Sequence, residues 1–124
     1  MRGSTATLGA RDKYTLEAEV EAYLSVRVKG VHGFIRKVAW PGKRYAPDRL
    51  ISLPYLRTGE PGFQHFFLEL KKPGGLRTFP NNARERGQLR EHNRMRKMGF
   101  RVELVDSAKG VDELLRIESD GGLG

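Results

Sequence analysis

The amino-acid sequence predicts an α/β protein whose mixed β-sheet is flanked by helices. Three observations carry that prediction. Periodic stretches follow in the order helix, three strands, helix, strand, helix. Turn residues between the second and third strands suit an antiparallel hairpin, and the helix between strands three and four acts as a crossover, which joins parallel strands with right-handed geometry. At 124 residues the chain suits one compact domain.

Residues 1–12 (MRGSTATLGARD) are small, polar and glycine-containing, and are expected to form a flexible N-terminal tail; residues 119–124 (SDGGLG) are expected to do the same at the other end. A single domain over 13–118 remains. Its first helix is predicted from an N-cap at Thr15 to a stop at Gly30. At about 100° per residue, Glu17, Val20, Leu24, Val28 and Val31 share one stripe. Glu17 therefore stands among core-facing positions, with Glu19 towards solvent and Glu21 at the stripe's border. Gly33 to Trp40 (GFIRKVAW) predicts strand one, PGKRYAP a basic loop, and Asp48 the start of strand two (DRLISLP). YLRTGEPG contains the turn, and HFFLELKK, stopped by Pro73-Gly74-Gly75, is strand three. The next helix is predicted from Ala83 to Met98, before Gly99, with Gln88, His92 and Met95 aligned. Gly87 inside it suggests a later start or a local distortion, and His92 reads as a packed or hydrogen-bonded histidine. FRVELVD alternates as strand four, and Val111 to Ile117 forms a short last helix.

The composition sets further bounds. Lys and Arg number 23 against 15 Asp and Glu, giving a net charge of +8 and a bias towards polyanions such as nucleic acid. The absence of cysteine excludes disulfides, thiol nucleophiles and cysteine-ligated zinc. No apolar run reaches membrane-spanning length and no signal-peptide core follows the start, so a soluble, cytoplasmic protein without a membrane partner is expected. PGKRY lacks the upstream glycine and the following Ser or Thr of a phosphate loop, and neither GxGxxG nor GxSxG occurs.

Chemistry is concentrated in strand three. Glu69 and Lys71 are two apart, so they leave the same face of the strand. Taken alone, that spacing describes an ion pair on a solvated face. Asp48, at the start of the hairpin partner, changes the odds, because two carboxylates brought within a few ångströms resist joint ionisation unless a cation lies between them. A hard divalent ion such as Mg²⁺ takes oxygen ligands and leaves positions for water and phosphate. Lys71 is then placed to orient an attacking water or offset developing charge.

The pattern Pro47-Asp48 followed by Glu69-Leu70-Lys71 resembles the PD-(D/E)xK nuclease superfamily, and its surroundings resemble the VRR-NUC (virus-type replication-repair nuclease) branch. The matching residues are Glu17, Lys37, PDRL at 47–50, FLELKKPGG at 67–75, Gln88 and MGFRVELVDS at 98–107, over roughly residues 14–116. Tyr45-Ala46 departs from the Gly-Val common in that branch. The resemblance implies a restriction-endonuclease-like αβββαβ core and metal-dependent endonucleolytic hydrolysis of DNA, with branched or junction DNA among the substrates, in a bacterial or phage-infected cell. It implies Asp48, Glu69 and the Leu70 carbonyl as metal ligands, assisted by Glu17, with Mg²⁺ bound and Mn²⁺ a substitute. Lys71 would act on the water and Gln88 would order the site, which makes Glu17, Asp48, Glu69, Lys71 and Gln88 the candidate catalytic set; Glu21 is the other candidate for the helix-one acid. Lys37 is a candidate DNA contact by the same resemblance. Lys43, Arg44, Lys72 and Arg77 join it because they cluster in the loops beside Asp48 and after Lys71. Stand-alone members are often homodimers, so a homodimer is expected. The alternative is a non-catalytic nucleic-acid-binding module that keeps the nuclease fold.

Overall fold

A computed structural model describes residues 14–57 and 60–123. Residues 1–12, expected as a tail, lie outside the described residues. Within them the elements follow the predicted order: α1 (Glu17–Gly30), β1 (Phe34–Lys37), β2 (Arg49–Arg57), β3 (Glu60–Leu70), α2 (Ala83–Lys97), β4 (Val102–Val105) and α3 (Ala108–Leu123), with a 3-10 turn at Gly75–Thr78. The sheet order is β1-β2-β3-β4. β1 and β3 both run antiparallel to β2, and β4 runs parallel to β3, so the sheet is mixed and α2 is its crossover.

Several boundaries move for identifiable reasons. α1 takes Leu16, not Thr15, at its N-cap position. Glu19 supplies the cap by accepting from the backbone N–H groups of Thr15 and Leu16 at 2.9 and 3.0 Å, a use that faces solvent yet is specific. β1 stops at Lys37, short of Trp40, whose indole N–H donates to the Pro47 carbonyl at 2.7 Å. β2 and β3 consume most of the expected turn, since Tyr55, Leu56 and Arg57 pair with Gly62, Pro61 and Glu60. α3 starts at Ala108 and runs to Leu123, longer than Val111 to Ile117. α2 starts where expected, on an Asn82 cap that accepts from the Glu85 N–H at 2.9 Å, and it passes through Gly87 without a break. The glycine is there for space: a Cβ on Gly87 would stand 2.8 Å from the Tyr45 ring.

Alternation along β3 divides the molecule. Phe66, Leu68 and Leu70 join Ile51 and Leu53 of β2 in a core closed by Val20, Leu24 and Val28 of α1 and Val111 and Leu115 of α3. The intervening residues face the other way, towards α2, whose buried positions are Gly87, Gln88, His92 and Met95. That second face holds the polar groups.

Candidate active site

The site forms where β2 begins and β3 ends. Arg49 faces Leu68 in the ladder, so one further step of the same register sets Asp48 across from Glu69. Directly opposed residues of antiparallel strands project to the same side with Cβ atoms about 4.5–5.5 Å apart. The approach to Asp48 is fixed by three contacts. The Val38 N–H donates to the Asp48 carbonyl at 3.1 Å, the buried Pro47 accepts from Trp40, and the Trp40 ring meets Phe67 edge-on at 5.3 Å. The Asp48 carboxylate itself stays exposed, 3.0 Å from the Arg49 guanidinium. Arg49 is buried and also binds Glu21 of α1. Burial works against the Arg49 charge, but hydrogen bonds and charge attraction from Glu21 and Asp48 outweigh it and raise its pKa.

Glu69 and Lys71 are not a solvated ion pair. Both are buried under α2, at 8% and 6% exposure, and they bind different partners. The Lys71 ammonium donates to Glu85 Oε2 at 3.1 Å and to Gln88 Oε1, with the Phe79 ring 4.9 Å away. Gln88 turns its amide N–H towards Glu69 Oε2 at 3.4 Å, so it bridges the two strand residues. His92 Nε2 stands 3.8 Å from the other Glu69 oxygen. Among the described residues no Lys or Arg pairs with Glu69.

One cleft of about 350 Å³ gathers Glu17, Asp48, Glu69, Leu70, Lys71 and Lys72, and its far wall is Thr78, Asn81, Asn82, Arg84 and Glu85. Glu17 is exposed in the first turn of α1 and faces this space, whereas Glu21 is occupied by Arg49. Gln88 does not line the cleft but is hydrogen-bonded to Lys71 and Glu69, which do. Lys37 is exposed at the end of β1, and Arg77 is exposed on the 3-10 turn between two residues of the cleft, Gly75 and Thr78; neither lines the cleft. Lys43 and Arg44 line a second cleft with Tyr45, Gly87, Arg90, Glu91 and Arg94.

No family model matches the chain. Protein p44 of Acyrthosiphon pisum secondary endosymbiont phage 1, named as a candidate nuclease, is 35% identical over 91 residues, which are 73% of this chain and 83% of that protein. A solved structure described as a VRR_NUC domain superposes with a TM-score of 0.61 and 35% identity, covering 83% of this chain and 97% of the other.

The chain belongs to the VRR-NUC family.

In this VRR-NUC chain no group of three or more His, Asp or Glu side chains among the described residues is close enough to hold a metal by side chains alone. The donor set nevertheless suits a hard ion. Mg²⁺ is typically held by one or two carboxylates and fills its remaining positions with water and substrate oxygens, and Asp48, Glu69, Leu70 and Glu17 all line the cleft. The decisive feature is Glu69. Its carboxylate is largely buried, its nearest donors are at 3.4 and 3.8 Å, and the neighbouring ammonium is spent elsewhere, so its charge lacks a close cation.

Sequence reasoning overlooked Glu85. Its signal was present, because Asn82-x-x-Glu85 is a capping pattern that marks the start of α2. Glu85 Oε1 accepts from the Asn81 N–H at 2.8 Å while Oε2 takes Lys71, so one carboxylate caps a helix and fixes a cleft lysine. Burial pushes the Glu85 carboxyl up, but the Asn81 N–H, Lys71 and Arg84 outweigh that and hold its pKa below the ordinary value. Arg90 and Arg94 also line the second cleft. They lie on the α2 stripe through Gly87, whose smallness admits the loop bearing Lys43 and Arg44.

Proposed function

We propose that this VRR-NUC protein is a nuclease that hydrolyses DNA phosphodiester bonds with a divalent ion, Mg²⁺ or in its place Mn²⁺, held by Asp48, Glu69 and the Leu70 carbonyl. The observation that carries this reading is the convergence of those groups with Glu17 and Lys71 on one cleft. A bound divalent ion supplies Lewis acidity at the phosphoryl oxygens and lowers the pKa of a water. The protein's own groups do the rest. Glu17 accepts hydrogen bonds from water entering the cleft. Lys71 spends two of its three N–H donors on Glu85 and Gln88, which fixes the ammonium and leaves one donor for the attacking water or a phosphate oxygen. Water attacks phosphorus and gives up a proton to solvent as the new P–O bond forms, the P–O bond to the 3′-oxygen breaks, and the 3′-oxygen takes a proton from solvent. The named role of the phage relative supports the nuclease reading, and the net charge of +8 supports a polyanionic substrate.

Lys72 in the cleft, Arg77 beside it, Lys37 at the end of β1, and Lys43 and Arg44 in the second cleft offer contacts to the DNA backbone. A single domain presents little surface to a branched duplex, which favours a two-fold homodimer and a preference for flapped or junction DNA. Light scattering tests the dimer.

The activity is tested by incubating purified protein with linear, flapped and branched DNA in Mg²⁺, Mn²⁺ or EDTA. Cleavage is expected with either ion and none with EDTA, and Asp48→Ala or Glu69→Ala is expected to lower it by more than about a hundredfold. Full activity in either variant would remove the assigned site. Salt-dependent binding without cleavage of any substrate would favour the alternative, a binding module on a nuclease fold.

A further inference from the structure

α2 presents two polar side chains to Glu69 from successive turns. Gln88 faces Oε2 at 3.4 Å and His92 faces Oε1 at 3.8 Å, so each carboxylate oxygen meets a different residue of one helix. His92 is wholly buried, and neither of its ring nitrogens has a hydrogen-bond partner among the described residues. An unpaired buried donor is costly, and an apolar side chain of similar volume would fill the position without that penalty. The imidazole therefore calls for a partner, and the nearest carboxylate oxygen is that of Glu69.

We infer that His92 is a positioning residue whose Nε2–H, with the Gln88 amide, fixes the plane of the Glu69 carboxylate and so its lone pairs in the cleft. The present separation exceeds a hydrogen bond. The terminal torsion of a glutamate is soft, and a small rotation of the carboxylate closes the gap. Gln88 alone leaves that rotation free, because it holds only one oxygen; donors on both oxygens stop it. The arrangement is that of outer-shell groups which orient a metal-binding side chain. This inference rests on the reading of Glu69 as a metal-holding residue.

The test uses the full chain. Thermal unfolding in EDTA and calorimetric titration with Mn²⁺ are compared for the wild type, His92→Leu and His92→Gln. Leucine removes both donors at similar volume, whereas glutamine keeps an N–H that can reach Glu69. His92→Leu is expected to unfold at the wild-type temperature or above it, yet to bind Mn²⁺ about 10–100-fold more weakly; His92→Gln should recover most of the affinity. In ¹⁵N-histidine-labelled wild type, Mg²⁺ should shift the His92 Nε2 resonance, a readout that does not depend on a variant folding. Unchanged Mn²⁺ affinity in a folded His92→Leu protein overturns the inference, as does equal loss of stability and affinity in both variants or an Nε2 resonance indifferent to Mg²⁺. Wild-type protein that binds no divalent ion overturns the metal reading and this inference with it. Tight wild-type binding with an indifferent His92 overturns this inference alone.

Discussion

The two faces of the sheet are built from the same strands and use burial for opposite ends. Towards α1 and α3, β3 contributes Phe66, Leu68 and Leu70 to an apolar core whose members are almost fully enclosed. Towards α2 the same strand contributes Glu69, and Lys71 follows directly after its end; both are also buried, but set among Gln88, His92 and Glu85. Removing water from the first face stabilises the fold by roughly 25 cal/mol per Å² of apolar surface. On the second face the same exclusion works against folding, since each charge loses hydration and regains it only through directed partners. The difference teaches where stability and chemistry reside: one face holds the chain together, and the other holds charged groups ready at a stability cost.

The sharpest way to break that comparison is to cut each face once. Lys71→Met should lower DNA cleavage by more than about a hundredfold, as loss of a positioned transition-state donor does, while lowering the urea midpoint less than a core truncation does, because the new side chain keeps the length of the old one even though Glu85 and Gln88 lose their donor. Leu24→Ala, in the fully enclosed core, should do the reverse. It is expected to cost about 2–5 kcal/mol in urea denaturation and to leave the cleavage rate of the folded fraction unaltered. If the Lys71 variant unfolds first, or the Leu24 variant loses catalysis at full fold, the division of labour between the faces is wrong.

A smaller effect is expected where α2 meets the basic loop. Gly87→Ala adds a methyl 2.8 Å from the Tyr45 ring and must displace that ring. Stability should stay within about 1 kcal/mol of wild type, because alanine is the better helix former by about that amount. The slope of log Kobs against log salt for DNA should fall by about one to two, as Lys43 and Arg44 lose phosphate contacts. An unchanged slope would detach the second cleft from DNA binding.

The smallest effect belongs to Glu85. Its folded pKa is held below the ordinary carboxylate value of 4.5, so the unfolded state binds the proton more readily. The contribution of Glu85 to stability is therefore present above about pH 4.5 and lost as pH falls through the depressed folded value. Glu85→Gln should be less stable than wild type near pH 7 by no more than about 1 kcal/mol, the size typical of a partly exposed pair. Denaturation curves of the two proteins should converge in acid, and a gap that persists at pH 3 would contradict the assignment.

The fold was legible because its signals are local. Alternation in HFFLELKK, the Pro-Gly-Gly stop and the crossover length fixed β3 and its parallel neighbour without tertiary information. Asp48 and Glu69 were legible as a pair because a hairpin relates them by register. What escaped notice depends on contacts between distant parts of the chain. The choice between Glu17 and Glu21 turns on Arg49, 28 residues from Glu21, a pairing that no local pattern shows. Glu85 was visible as a helix-start acid, but its hold on Lys71 crosses the turn between strand and helix. Gly87 was misread as a flaw in α2 because the reason for it, the Tyr45 ring, lies on another element.

Among the described residues β1 pairs with β2 over Arg49 to Ser52, and β4 with β3 over Phe67 to Leu70, so more than half of the β2–β3 ladder extends past both neighbours as a two-stranded ribbon. That overhang makes the protein sensitive to the parity of any length change in β3 ahead of Phe67. Two added residues lengthen the arm and return Glu69 to its place. One added residue, taken up without a bulge, would send the carboxylate into the oily interior and turn Leu70 towards α2 and the cleft instead.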